Sequence, residues 1–255
     1  MHEPTPNMRR RYRNPPVEEA LVEFRFVPGQ GWDPTLPGKL HQHAAIKSVY
    51  TGKPRTQKIV EAALEAGRDQ PSQMTLREGF GRVQLVNENG TRLISLGPDV
   101  LSVNVLRPYE GWIQFRQRID TALQAYAEVA EPGGVLRVGV RYINKIVLPD
   151  QEVELKTWFR CGPPTVPELP GKIAGFVSRV EFLYPDAVKL LLTQASIDTP
   201  EEPSAFLLDL DVLWDGGEAQ LPDAIMTVVD DLHERVGSAF EAIITDAARE
   251  IFDAN

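Results

Sequence analysis

The sequence predicts an α+β fold built as a duplicated unit, each copy a curved antiparallel sheet packed on a long C-terminal helix. Three observations predict it. Short segments of alternating apolar and polar residues, rich in Val, Leu and Phe, recur along the chain between turn residues. Two stretches, 109–130 and 222–251, carry an apolar stripe at helical spacing. The order of elements also repeats: strand, helical or linking segment, strand meander, long helix. The period is too long for a solenoid repeat. Residues 1–16 form a flexible arm, 17–132 the first α+β half and 133–255 the second, packed together as one globular unit. The match between halves lies in element order and not in residue identity.

The elements follow in turn. "EALVEFRFVP" (19–28) alternates, with Ala20, Val22, Phe24 and Phe26 on one side and Glu19, Leu21, Glu23, Arg25 and Val27 on the other. This is a half-buried strand, ended by "PGQGWDP". Helical segments are expected over 36–49 and 57–66, separated by "TGKP". Four short strands follow, "QMTLRE", "GRVQLVN", "TRLISLG" and "DVLSVNVL", with hairpin turns at "NENG" and "GPD". In the helix 109–130, Trp112, Phe115, Ile119, Leu123 and Tyr126 form the stripe, and "EPGG" stops it. "LRVGVRYINKIVLP" (136–149) is one long strand, followed by a Pro-rich link over 150–171. "FVSRVEFLYP", "AVKLLLTQAS" and "SAFLLDLDVLW" make a second meander. The last helix, of about eight turns, opens near Pro222, which suits a first turn, and its stripe runs from Ile225 to Ile251. The arrangement is similar to helix-grip and TATA-binding-protein-like folds, a likeness of architecture that carries no function.

Composition narrows the class. The 255 residues are 42% hydrophobic and 25% charged, so a sizeable core can form without staples. A single cysteine, Cys161, rules out an internal disulfide. The N-terminal "MHEPTPNMRRRYRNPP" has cations but no apolar run after them, and no stretch reaches membrane-spanning length. A cytoplasmic protein without a membrane partner is expected. The net charge is −9 and uneven: residues 1–130 hold 17 Lys and Arg against 14 Asp and Glu, and 131–255 hold 10 against 22. An acidic protein of this kind lacks the basic surface that duplex binding needs. Nucleic acid is therefore not the expected partner.

If helices cover the apolar face of the strands, the reverse face gathers charge. Glu23, Arg25, Arg137, Arg141, Lys145, Arg179, Glu181, Lys189, Asp209 and Asp211 all fall there. One outcome is a solvated face whose opposite charges pair across strands, at roughly 0.2–1 kcal/mol per pair. Another is a charged groove. Arg137, Arg141 and Lys145 step about 13 Å along one strand, which suits an extended anion or a row of carboxylates. A third is a dimer interface. Asn144 lies on the apolar side and must be hydrogen-bonded. A backbone group of the 150–171 link is its expected partner.

Three segments carry a family resemblance. "NPPVEEALVEFRF", "PDVLSVNVLRPYEGW" and "VRYINKI" resemble the landmarks of a sporadically distributed, mostly uncharacterised prokaryotic protein family of similar length. The likeness spans residues 14–148. The family's central landmark reads closer to "QPDRF…NW…YPRYE", so the match is partial there. The resemblance implies that Asn14, Pro15, Pro16, Glu23, Tyr142 and Asn144 are landmark positions. It brings no activity, and accessory, antitoxin-like or defence roles enter by association alone.

Other chemistry is thin. His41 and His43 diverge on a helix and make a poor metal pair. His233 reads as a solvent-facing residue of the last helix. Cys161 has no histidine near it in sequence, as a nucleophile would want. Asp209 and Asp211 share a strand face and could hold Mg²⁺ beside a bound phosphate. That resembles tunnel-type triphosphate enzymes, but the first strand reads "VEFRF" where they carry E-x-E-x-K. Phosphate loops, dinucleotide fingerprints, nucleophile elbows and Cys pairs are absent from the sequence. "RRRYR" (9–13) reads as a solvated arm.

The expected function is thus non-enzymatic binding of a protein or anionic partner, or self-association, with no cofactor and no metal. The expected contact residues are Glu23, Arg25, Arg137, Arg141, Lys145, Arg179, Asp209 and Asp211, with Trp158 and Phe159 in the link as exposed anchors. The alternative is an enzyme or binder acting on a phosphorylated small molecule with a divalent metal.

Overall fold

The computed structural model describes residues 10–28, 32–65, 73–149, 154–164, 168–169, 173–197, 204–220 and 222–253, with side chains at all of these except 57–80 and 217–223. In chain order the elements are β1 (Val17–Phe26), α1 (Leu36–Gln42), α2 (Ala44–Lys47), β2 (Arg55–Glu65), β3 (Gln73–Val86), β4 (Arg92–Gly97), β5 (Val100–Leu106), α3 (Trp112–Ala130), β6 (Val135–Leu148), α4 (Leu155–Trp158), β7 (Val177–Leu183), β8 (Val188–Ile197), β9 (Ser204–Gln220), α5 (Pro222–Ile243) and α6 (Asp246–Asp253). The class is α+β. All the strands join in one nine-stranded antiparallel sheet, ordered β2-β3-β4-β5-β1-β6-β9-β8-β7.

The first and second meanders therefore share a sheet. Their seam is β1 against β6, where Ala20, Val22 and Phe24 face Tyr142, Val140 and Val138. These six side chains sit under the helices with almost no exposure. The seam explains why both strands alternate so cleanly: each is flanked by strands on both sides and covered on one face only. Near Val135 the pairing shifts register, which turns Val135 into the core and leaves Leu136 only half-buried.

The long helices lie on that covered face, with α3 over β5, α5 over β6 and β9, and α3 touching α5. Phe115, Ile119, Leu123 and Tyr126 of α3 are buried as the stripe predicts. Glu131 ends α3 in the left-handed conformation, its N–H donating to the Ala127 carbonyl. The turns expected at 87–90 and 97–99 join β3 to β4 and β4 to β5, and a turn at 185–186 joins β7 to β8.

Three expectations about the elements themselves fail. Of residues 57–66, expected to be helical, 57–65 supply most of β2, paired with β3 from Arg55 to Glu65, and Ala66 lies outside the described residues. Helix-favouring composition yields here to pairing, because β3 would otherwise end the sheet as an open edge. The two short strands expected over 73–87 are one strand, β3. Its glycines do not turn the chain. Gly79 and Arg82 flank a bulge where β2 shifts register between Gln57 and Ile59. The last helix divides into α5 and α6. The link claims the backbone between them: Arg160 donates to the Ile243 carbonyl and Thr245 to the Trp158 carbonyl.

That same contact removes the exposed anchors. Trp158 is 9% and Phe159 1% exposed. Phe159 forms a backbone bridge with Ile244 and sets its ring edge-on to Phe206. Both rings pin the link to the core. His233 is also buried, stacked on Trp112 at 3.6 Å between ring centroids, with Nδ1 3.1 Å from the Tyr142 hydroxyl. Tyr142 also meets the Tyr109 hydroxyl at 2.8 Å. Tyr142→Phe is expected to lower stability by about 1 kcal/mol, a normal loss for such bonds, read from the denaturant midpoint. Asn144 donates to the Leu208 carbonyl on β9 at 3.0 Å, and to none of the described residues of the link.

Candidate functional site

The uncovered face of the sheet is organised around a glycine. Gly139 on β6 faces Glu23 on β1 and Leu213 on β9. One step along, Arg25 faces Arg137. On the other side, Leu21 faces Arg141, which faces Asp211. A central strand position without a side chain leaves a depression, here about 190 Å³, lined by Leu21, Glu23, Arg25, Arg137, Gly139, Arg141, Asp211 and Leu213. A Cβ added to Gly139 would lie 2.8 Å from Leu213 Cδ2 and 3.8 Å from Asp211 Oδ1. Any larger residue there would displace Leu213 and fill the hollow.

Most of the charge around it is paired. Arg141 makes a fork with Asp209, Nε to Oδ1 at 2.8 Å and Nη2 to Oδ2 at 2.7 Å. The two residues are diagonal across β6 and β9, since Asp209 faces Ile143 in register. Glu23 accepts from Arg25 Nε at 3.0 Å and pairs with Arg82 Nη1 at 2.8 Å. The hydrogen bonds to Asp209 hold the Arg141 guanidinium above its ordinary pKa. Both Asp209 oxygens thereby accept a hydrogen bond from Arg141. No group of three metal-ligating side chains occurs among the described residues.

Two groups are left over. Arg137 makes no ion pair among the described residues. Asp211 is half-buried, and desolvation pushes its carboxyl up to about 6 against the opposing pull of Arg141. A cation that no ion pair fixes among the described residues and an acid whose carboxyl is pushed up to about 6 face the same hollow. Together they can hold one anionic group: Arg137 supplies charge, and protonated Asp211 supplies a hydrogen bond.

Of the expected contact residues, Glu23, Arg25, Arg137, Arg141 and Asp211 come together, with Asp209 behind Arg141. Lys145 lies farther along β6, outside the lining, where its N–H bonds the Pro16 carbonyl. Arg179 stands on β7 at the end of the sheet, three strands from β6. The row of three cations is therefore two at the hollow and one apart. Sequence reasoning overlooked Gly139, Leu213 and Arg82. A lone glycine inside an otherwise unbroken strand is the signal that could have found the first.

Other candidates have structural work. His41 Nε2 lies 2.9 Å from the Tyr50 carbonyl, and His43 Nε2 lies 2.9 Å from Glu128. Burial raises the Cys161 pKa, the opposite of what a nucleophile needs. No helix among the described residues is long and apolar enough to cross a membrane. Comparison with family models, curated proteins and solved structures finds no match to the chain.

Proposed function

We propose that the chain is a binding module that receives an anionic group of a partner protein in the hollow at Gly139. The observation that carries this is the unpaired Arg137 beside a depression that only glycine leaves open. Asp215 stands opposite Arg137 across β6 and β9 but makes no ion pair with it among the described residues, and Gly139 offers no side chain to pack against Leu213. The metal-dependent alternative is weakened by the fork that occupies Asp209.

The same reading takes the chain as a duplicated unit of helix-grip type. In each half the last strand of the meander returns beside the first, β5 beside β1 and β9 beside β6. It also takes the chain as a member of the sporadically distributed family that its landmarks resemble. Two of those landmarks have places near the seam: Glu23 lines the hollow and Tyr142 bonds His233 on the opposite face.

The test uses an oligoglutamate peptide and pyrophosphate as probes in titration calorimetry. Oligoglutamate should bind the wild-type chain at pH 6, and Arg137→Glu should weaken it about tenfold or more, as loss of a charge-assisted contact implies. Thermal stability of the variant should stay unchanged. Equal binding by both chains would defeat the proposal. Pyrophosphate binding that depends on Mg²⁺ would favour the metal-dependent reading instead.

A further inference from the structure

β7 ends the sheet, and its outer edge faces no strand among the described residues. Natural edges are usually blunted by Pro, Lys, a bulge or a covering element. "VSRVEFL" carries no Pro, no Lys and no Gly, and it pairs with β8 through seven consecutive residues without a register shift. Of the nine large apolar side chains exposed among the described residues, six lie at Ile173, Val177, Val180, Phe182, Leu183 and Tyr184. Val177 is 78% and Leu183 81% exposed. The longest run of exposed apolar surface thus coincides with an open strand edge, apart from the charged hollow.

The direction of the backbone groups fixes how this edge can pair. Tyr184 N–H donates to the Val188 carbonyl at 2.8 Å, and Ser196 N–H donates to the Phe176 carbonyl at 3.0 Å. In an antiparallel ladder the groups alternate, so residues 178, 180 and 182 also face β8. Val177, Arg179, Glu181 and Leu183 turn their N–H and C=O outward.

A second copy meeting this edge by a two-fold axis must set outward residues against outward residues, so the axis falls on a residue and not between two. An axis at residue 179 sets Arg179 on Arg179. An axis at 181 sets Glu181 on Glu181. An axis at Val180 sets Arg179 against Glu181 twice and Val177 against Leu183 twice. Only that last register satisfies charge and apolar surface together, and it leaves no outward backbone group of the strand unused.

We propose that the chain forms a two-fold dimer through antiparallel pairing of β7 with β7 of a second copy, Arg179 of each opposite Glu181 of the other. The sheet then runs through both copies. Val180 meets its own copy at the axis, with Phe182 beside it on the helix-bearing face. This is an isologous contact that closes on itself, so it yields dimers and not filaments. It does not depend on the hollow.

Sedimentation velocity of the full chain tests it. Wild type should sediment at twice the 28.5 kDa chain mass. R179E sets carboxylates against carboxylates and should weaken the dimer about tenfold or more, and E181R should do the same with cations. The double swap R179E/E181R restores opposite charges and should dimerise like wild type. An equimolar mixture of R179E and E181R should give a mixed dimer. Rescue by a swap cannot come from misfolding. A monomeric wild type overturns the proposal. So does a dimer that R179E leaves intact, or one that the double swap fails to restore. A wild-type monomer whose β7 amides become protected from hydrogen exchange only with another protein would assign the edge to a different partner and likewise overturn it.

Discussion

Asp211→Asn is expected to stabilise the folded chain by about 2 kcal/mol at pH 7 and to flatten its stability profile between about pH 4 and pH 6. The Asp211 carboxyl titrates near 6 in the folded chain because it is withdrawn from water beside Asp209 and Glu23. In the unfolded chain it titrates at about 3.9. Between those values the folded state holds the extra proton, so stability falls as pH rises through the window. The whole penalty is in place above about pH 6 and absent below about pH 4. Two pH units correspond to about 2.7 kcal/mol, reduced here because the amide must itself find partners. Chemical denaturation at pH 4 and pH 7 checks it. The two chains should match at the lower pH and separate at the higher. A fold that gains stability by losing a site carboxylate has kept that group for something other than folding. In wild type, oligoglutamate binding should strengthen as pH falls toward 6, and in Asp211→Asn it should be level over pH 6–7.

The legible part of the fold was whatever one strand or helix decides alone. β1 and β6 show their buried faces in the sequence because Val22, Phe24, Val138 and Val140 alternate with polar residues. The stripe of α3 and its stop at Glu131 follow from spacing and turn chemistry. What the sequence hid depends on register between strands. Asp209 and Asp211 sit on one face, and the register sets Arg141 opposite Asp211, yet its guanidinium reaches diagonally to Asp209 and leaves the half-buried Asp211 without a hydrogen bond among the described residues. The break between α5 and α6 was hidden for a like reason, since it comes from the link's backbone and not from a residue in the helix. His233 could have been found. It lies four residues after Val229 and three before Val236, both buried, so it continues their stripe. Residues 57–65 favour a helix locally, and only the β3 edge makes them a strand.

Phe159→Ala is expected to destabilise the chain by about 3–5 kcal/mol, the range for a fully buried aromatic. The ring is 1% exposed and packs against Phe206 of β9. Its backbone bridges Ile244, and Arg160 and Thr245 complete the clamp that separates α5 from α6. Losing the ring leaves a cavity at the one place where the link reaches the core. The damage should not stop at volume, because the clamp also satisfies the Ile243 carbonyl at the end of α5. The first hydrogen-exchange protection to fall should therefore be that of Thr245 and of the α6 amides, ahead of α3. An interface anchor would behave otherwise: its removal would leave the denaturant midpoint in place and weaken only a partner contact. A midpoint unchanged by Phe159→Ala would return the ring to the surface and reopen the link as a docking segment. A shift of the expected size ties residues 154–164 to the folding core and leaves the open sheet face and the β7 edge as the surfaces free to meet other molecules.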